Sequence, residues 1–179
     1  MSAFYFDIRK DILYCEVDAG TGKQTERRRA YRTVLDTLFH ALVRWLSPVL
    51  VFTSEEVWGT RYPDAGSVHL LEWPVVQQVD ADEAKWTALR ELRTQVTEAI
   101  EPLRRDKVIG SSLEAEVTVP SSEDPALLAE LFITSTVHNG DEIKVTKTSN
   151  HKCGRCWRHM PDVRADGELD ARCEAVLNG

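Results

Sequence analysis

The sequence lacks most of what would send a chain into or across a membrane. Its first residues, Met1-Ser2-Ala3-Phe4-Tyr5-Phe6-Asp7, have neither the basic start nor the apolar core of a secretory leader. No apolar run is long enough to span a bilayer. Cysteine is scarce, four in 179 residues, and three of the four crowd the tail while Cys15 lies far away. That is not the disulfide framework of a small secreted domain, so a reducing cytoplasm is expected. Basic charge is short too. A formal charge of −7 argues against indiscriminate nucleic-acid binding, which usually needs a basic domain. Catalytic acid–base pairs, a Ser-His-Asp arrangement and a glycine loop that cradles phosphate are not evident. Internal repeats and low-complexity segments are absent as well. The length fits one large or two small domains.

One further absence is local. From residue 143 to residue 161 there is no Asp or Glu, but Lys144, Lys147, Lys152, Arg155 and Arg158 are there. Within that basic stretch stands His151-Lys152-Cys153-Gly154-Arg155-Cys156-Trp157-Arg158-His159, and Cys173 follows near the end. A C-x-x-C turn presents two thiolates from one tight knuckle, which suits tetrahedral zinc. Cations beside an aromatic ring suit a phosphate backbone with a base stacked on the ring. A zinc knuckle touching nucleic acid is the first reading. A full ribbon needs C-x-x-C twice, however, and the second half reads Asp170-Ala171-Arg172-Cys173. Carboxylate oxygen can bind zinc, although structural sites favour sulfur and imidazole. His151 and His159 are alternative fourth ligands, and a knuckle that folds without metal and keeps free thiols is the other alternative.

The rest of the chain gives an α+β pattern. Phe4, Tyr5, Ile8, Ile12 and Cys15 follow helical spacing, and residues 17–25 read as a loop with two glycines. Residues 27–46 carry an apolar stripe of Tyr31, Val34, Leu35, Leu38, Phe39, Leu42, Val43 and Leu46. Arg27, Arg28, Arg29 and Arg32 crowd the start of that helix, where the macrodipole is already positive, so Glu26 or an anion such as phosphate is expected to compensate. Ser47-Pro48 ends it. Residues 48–52 read as buried, and Thr53 with Glu56 reads as a capping box for the next helix. His69, in the loop that follows, is assigned to packing or surface. Residues 80–105 form a second long helix that begins at a box of Asp80 and Glu83. Its stripe is Trp86, Leu89, Leu92, Val96, Ile100 and Leu103, and Pro102 lies near its end. These helices suggest an antiparallel bundle. Beyond Gly110 the period falls to two. A strand runs through Leu113, Ala115, Val117 and Val119. A short helix starts at Asp124-Pro125, and two more strands cover residues 133–137 and 143–147 about a turn at His138-Asn139-Gly140-Asp141. The expected domains are 1–106 (helical), 107–148 (a small α+β junction module) and 149–179 (a zinc-ribbon-like tail).

Several separated motifs, in order, resemble the C-terminal region of bacterial isoleucyl-tRNA synthetases. They are Ser2-Ala3-Phe4-Tyr5-Phe6-Asp7 with Lys10-Asp11, then Leu46-Ser47-Pro48-Val49-Leu50-Val51-Phe52-Thr53 with Glu55-Glu56-Val57-Trp58, and Ser67-Val68-His69-Leu70. These are shared more loosely with the valyl and leucyl enzymes. Lys107-Val108-Ile109-Gly110-Ser111-Ser112-Leu113-Glu114-Ala115 and Lys152-Cys153-x-x-Cys156-Trp157 are more specific. The resemblance covers nearly the whole chain and implies an anticodon-binding bundle, a junction module and a zinc tail. It implies a role in gripping the anticodon stem and loop of tRNA(Ile), as part of a monomeric class I ligase that joins isoleucine to tRNA with ATP and Mg. The catalytic and editing domains, and the His-Ile-Gly-His and Lys-Met-Ser-Lys-Ser signatures, are not in this chain, so alone it is expected to be inactive. By the same resemblance, Trp157 stacks a base, Arg155 and Arg158 with Lys152 hold phosphates or base edges, and the arginines from Arg27 to Arg32, including Arg28 and Arg32, take the stem backbone. The family usually has Cys where this chain has Asp170. Either zinc sits among Cys153, Cys156, Cys173 and Asp170, or the metal is weakened or lost.

Two readings of other classes compete. A free-standing zinc-ribbon adaptor could bind nucleic acid or protein, but a glycosylase of that kind needs an N-terminal nucleophile that Met1-Ser2-Ala3 does not offer. Thiol–disulfide exchange at Cys153 and Cys156 would need a C-x-x-C that opens a helix after a strand, not one in a basic loop.

Overall fold

Two contact units, each with its own core, make up the computed structural model, which describes residues 2–18 and 23–178 without the side chains of Ser2 and Ala3. One comprises Met1–Arg28 with Asp82–Gly179, the other Arg29–Ala81. Residues 19–22 of the expected glycine loop, with Gly20 and Gly22, lie outside the described residues. The chain is helix-rich α+β: α1 (Asp7–Cys15), α2 (Glu26–Leu46), α3 (Val51–Arg61), α4 (Glu83–Arg105), β1 (Ala115–Val119), α5 (Pro125–Phe132), β2 (Thr136–Asn139), β3 (Lys144–Lys147), β4 (His151–Lys152), β5 (His159–Met160) and α6 (Ala171–Asn178). No helix among the described residues is long and apolar enough to cross a membrane.

In the unit of Arg29–Ala81, α2 stops at Leu46 as Pro48 requires. The core is Val43, Trp58 and Val68, with Phe39, Tyr62 and Leu71 packed on it. Trp58 and Tyr62 pack at 4.6 Å between centroids with their planes tilted by 46°, and the indole N–H donates to the Gly66 carbonyl at 3.1 Å, so the ring's one polar group is satisfied. The capping box is not formed. α3 begins at Val51, two residues before Thr53, with Leu50 in the cap position and no side-chain cap. Glu56 therefore lies inside the helix. Glu55 instead holds the loop below, accepting from Ser67 Oγ at 2.9 Å and Val68 N at 3.0 Å. The apolar run before Thr53 is not buried either: Val49 is 79% and Phe52 88% exposed. The turn before α3 leaves Val49 in solvent and the first turn of α3 carries Phe52 there, which a linear reading of hydrophobicity misses. His69 is a surface residue whose Nε2 lies 3.1 Å from the Val51 carbonyl.

The other unit is built on a three-stranded sheet in the order β2-β1-β3. Central β1 pairs in parallel with β2 (Val117 opposite Val137) and antiparallel with β3 (Val117 opposite Val145). The turn expected at residues 138–141 does not close a hairpin, because β2 and β3 lie on opposite sides of β1. α5 lies between β1 and β2 and supplies the crossover that a parallel pair needs. Asp124 caps α5 by accepting from Ala126 N at 3.0 Å, with Pro125 in the first turn. α4 starts at Glu83, three residues after Asp80, with Asp82 as its cap (Oδ1 2.9 Å from Lys85 N). Its face of Leu89, Val96 and Ile100 packs with Ala115, Val117, Val119, Leu128, Leu131 and Phe132 in one core, to which Ile8 of α1 also belongs.

Candidate functional site

The tail after β3 is a knuckle drawn tight by its backbone. β4 and β5 pair antiparallel, His151 opposite Met160 and Lys152 opposite His159. Between them Cys153 N donates to the Arg158 carbonyl at 2.8 Å and Trp157 N to the Cys153 carbonyl at 3.1 Å. The turn needs a left-handed residue, and Trp157 supplies it at φ +65°, a conformation that costs a bulky side chain energy and must be imposed by its surroundings. Gly154 is required by close approach: a Cβ there would stand 2.3 Å from the Gly167 carbonyl oxygen.

This folding brings Cys153, Cys156, Asp170 and Cys173 together, with their ligand atoms all within 4.8 Å of one another and all but Cys156 buried. Zinc–sulfur bonds of about 2.3 Å put tetrahedral ligands about 3.8 Å apart, so three sulfurs and one carboxylate oxygen fit a structural metal site. Asp170 divides its carboxylate. Oδ1 accepts from Cys173 N at 2.7 Å, which caps α6 at its third amide. Oδ2 accepts from Cys156 Sγ at 2.9 Å. The histidines are not in the group. His151 faces Asp166 at 3.4 Å and His159 Nδ1 lies 2.8 Å from the Asn150 carbonyl.

The electrostatics divide the cluster. Burial, then the hydrogen bond to Asp170, pushes the Cys156 thiol up. Burial pushes Cys173 up to about 12, with the Asp170 charge adding and the hydrogen bond from Arg155 opposing. For Cys153 burial acts upward, but amides of Cys156, Asp170 and Arg155 outweigh it and hold the thiol below its usual range. Asp170 likewise ends low: burial is outweighed by hydrogen bonds from Cys156, the Cys173 amide and Cys153. The group is thus one carboxylate, one thiol held below its usual range and two thiols held above it.

The nucleic-acid candidates separate. Trp157 is 62% exposed, and Lys152 Nζ stands 5.6 Å from its ring centroid, an arrangement that presents a ring and a charge together. Arg155 points the other way. Its guanidinium donates to the Tyr14 carbonyl at 2.8 Å and reaches Cys15 Sγ at 3.3 Å and Cys173 Sγ at 3.7 Å. Arg158 donates to the Ser135 carbonyl at 3.1 Å and pairs with Asp11 at 3.7 Å. Arg28 donates to the Glu16 carbonyl at 3.3 Å, and neighbouring Arg27 bridges Glu16 and Glu130 at 2.8 and 2.6 Å. Glu16 and Glu130, rather than Glu26, are the acids paired with Arg27 at the basic start of α2. Arg32 is exposed farther along α2, in the other unit.

Sequence reasoning missed the groups that tie the tail to α1. Arg172 of α6 forms a two-pronged pair with Asp11, Nη2 to Oδ1 at 3.0 Å. Cys15 shares a small core with Cys153, Val163 and Cys173. The only trace in sequence was the helical period that turned Ile8, Ile12 and Cys15 to one face, since partners some 160 positions apart leave no local signal.

Comparison with known proteins bears on this arrangement. The family described as anticodon-binding domain of tRNA ligase matches residues 1–119. Over 99% of its length the chain is 53% identical to an isoleucine–tRNA ligase of Zymomonas mobilis, 46% to one of Ruegeria pomeroyi and 41% to one of Gluconobacter oxydans. It spans about a fifth of the length of these curated relatives, 20%, 21% and 20% in turn.

Proposed function

Since this chain belongs to the anticodon-binding domain family of tRNA ligases, we propose that it grips the anticodon stem and loop of tRNA(Ile) as the C-terminal part of an isoleucine–tRNA ligase. Its partners would be that tRNA and the catalytic and editing domains of the same monomeric cytoplasmic enzyme, where ATP and Mg are used. The chain alone activates no amino acid, and isoleucine-dependent ATP–pyrophosphate exchange by it would overturn that. The segments 1–106, 107–148 and 149–179 would act as stem grip, junction and loop reader.

The observation that carries this reading is an exposed Trp157 fixed in a left-handed turn beside Lys152. A ring held in place pays little entropy when a base stacks on it. Zinc suits the Cys153, Cys156, Asp170 and Cys173 donor set, and when bound it would supply a structural cross-link that fixes the turn. Arg155 and Arg158 would serve the RNA mainly by positioning the knuckle through their inward bonds and by adding positive field, while Arg28 and Arg32 would approach stem phosphates.

Titration of an anticodon stem–loop RNA against the chain tests this. Trp157→Ala should weaken binding by about 1–3 kcal/mol, the range for one stacked base, and affinity should fall steeply with salt. Equal affinity of the wild-type and Trp157→Ala chains would remove the reading.

A further inference from the structure

Lys152 Nζ stands 5.6 Å from the centre of the Trp157 ring, and the main chain beneath that lysine is held by a loop from farther along the tail. Its N–H donates to Asp166 Oδ1 at 2.8 Å, and its carbonyl accepts from Gly167 N at 2.9 Å. Gly154 N, two residues on, donates to the Glu168 carbonyl at 2.9 Å. Residues 166–168 therefore run beside β4 as a clasp, which Gly167 turns at φ +96°. The Asp166 side chain is 75% exposed, so what it adds to the knuckle is an acceptor oxygen and not packing. Its other neighbour is the His151 ring, with Nδ1 at 3.4 Å.

We infer that Asp166 is a positioning residue for RNA binding, which fixes the main chain of Lys152 so that its ammonium group stays over Trp157. The inference rests on the RNA reading above and adds the residue that holds its charge in place. β4 and β5 are two residues each, a short ladder that fixes little by itself. Side chains of a strand alternate between its faces, and here Lys152 is exposed while Cys153 is buried. Cys153 has anchors of its own. Its N–H donates to the Arg158 carbonyl at 2.8 Å, and its sulfur accepts from Asp170 N at 3.4 Å. Both main-chain groups of Lys152, in contrast, are taken by Asp166 and Gly167. Ordering a long side chain on binding costs entropy, and a main chain already fixed beneath it lowers that cost.

The test compares the chain with its Asp166→Ala and Asp166→Asn variants. Alanine deletes the acceptor, whereas asparagine keeps an oxygen there and deletes the charge. NMR reads the lysine's position without RNA, because the ring current of Trp157 moves the Lys152 side-chain protons upfield. Asp166→Ala should lose that upfield shift and weaken binding of an anticodon stem–loop RNA about tenfold, within the range of one stacked base. Zinc per chain should not change. Asp166→Asn should keep both the shift and the affinity. If Asp166→Ala keeps the shift, or Asp166→Asn loses it too, the inference is overturned whatever the RNA does. A loss of zinc along with the shift would make Asp166 a support of the thiol cluster and overturn it as well. If Asp166→Ala loses the shift yet binds RNA as the wild type does, while Trp157→Ala binds more weakly, the inference is overturned and the RNA reading stands. If Trp157→Ala also binds as the wild type does, the RNA reading falls and takes the inference with it.

Discussion

The sheet module and the knuckle are neighbours in one unit and are held together by different forces. Ala115, Val117, Val119, Leu128 and Leu131 are all at most 1% exposed and close a continuous apolar core. The knuckle shares a small core of four buried residues, three of them cysteines: Cys153, Val163 and Cys173 of its own and Cys15 from α1. Apolar burial at about 25 cal/mol per Å² maintains the first. It is too scarce in the second, which relies on backbone bonds, the Asp170 carboxylate and, on the function proposed above, a zinc ion between the thiols. The module should therefore tolerate loss of a cation that the knuckle needs.

The sharpest way to break this contrast is to remove a sulfur. Cys153→Ser should lower zinc affinity by more than about a hundredfold, beyond the 10–100-fold typical of groups behind the ligands. Hydrogen exchange should show amides of residues 151–173 losing protection while those of β1 and α5 keep theirs. Loss of protection throughout would mean that the two regions share one stability.

The converse change is Ile100→Ala. Ile100 is 3% exposed in the sheet core, so denaturant unfolding should show a loss of about 2–5 kcal/mol, with zinc per folded chain unchanged. A smaller effect comes from protons. Cys156 and Cys173 are both held above the usual thiol range, so at neutral pH each keeps a proton that a cation must displace. Apparent zinc affinity should rise with pH and fall as pH falls, by about ten- to a hundredfold per unit. Competition with a chelator at about pH 6 and pH 8 measures it, and a flat profile would mean that the thiols are not the ligands. Smallest is Asp11→Asn, which weakens the partly exposed pairs with Arg172 and Arg158 and should cost about 1 kcal/mol, read as faster exchange in α6 and the knuckle with β1 and α5 unchanged.

Legibility in the sequence followed how local the cause was. The α2 helix, the stop at Pro48 and the Asp124-Pro125 start of α5 each rest on neighbours within a turn, and each is found, although Val34 and Leu46 of the expected α2 stripe are exposed. The cap of α4 moved from Asp80 to Asp82 because both residues can cap and the helix face decides between them. The hairpin failed because strand pairing is a choice among partners, and β1 takes both. At the site, the C-x-x-C spacing marked the knuckle. It did not reveal that Arg155 turns toward α1, since the direction of a guanidinium depends on Tyr14 and Cys15, about 140 positions away.

The divided carboxylate of Asp170 narrows the changes open to this position over evolutionary time. Replacing it with cysteine would complete a four-sulfur cluster, yet would remove the oxygen that caps α6, a loss of about 0.5–2 kcal/mol. Asparagine would keep the cap and discard the charge that a cation prefers. Each single step would trade the start of a helix against the grip that the proposed metal site offers, so one carboxylate serves the fold and the site at once.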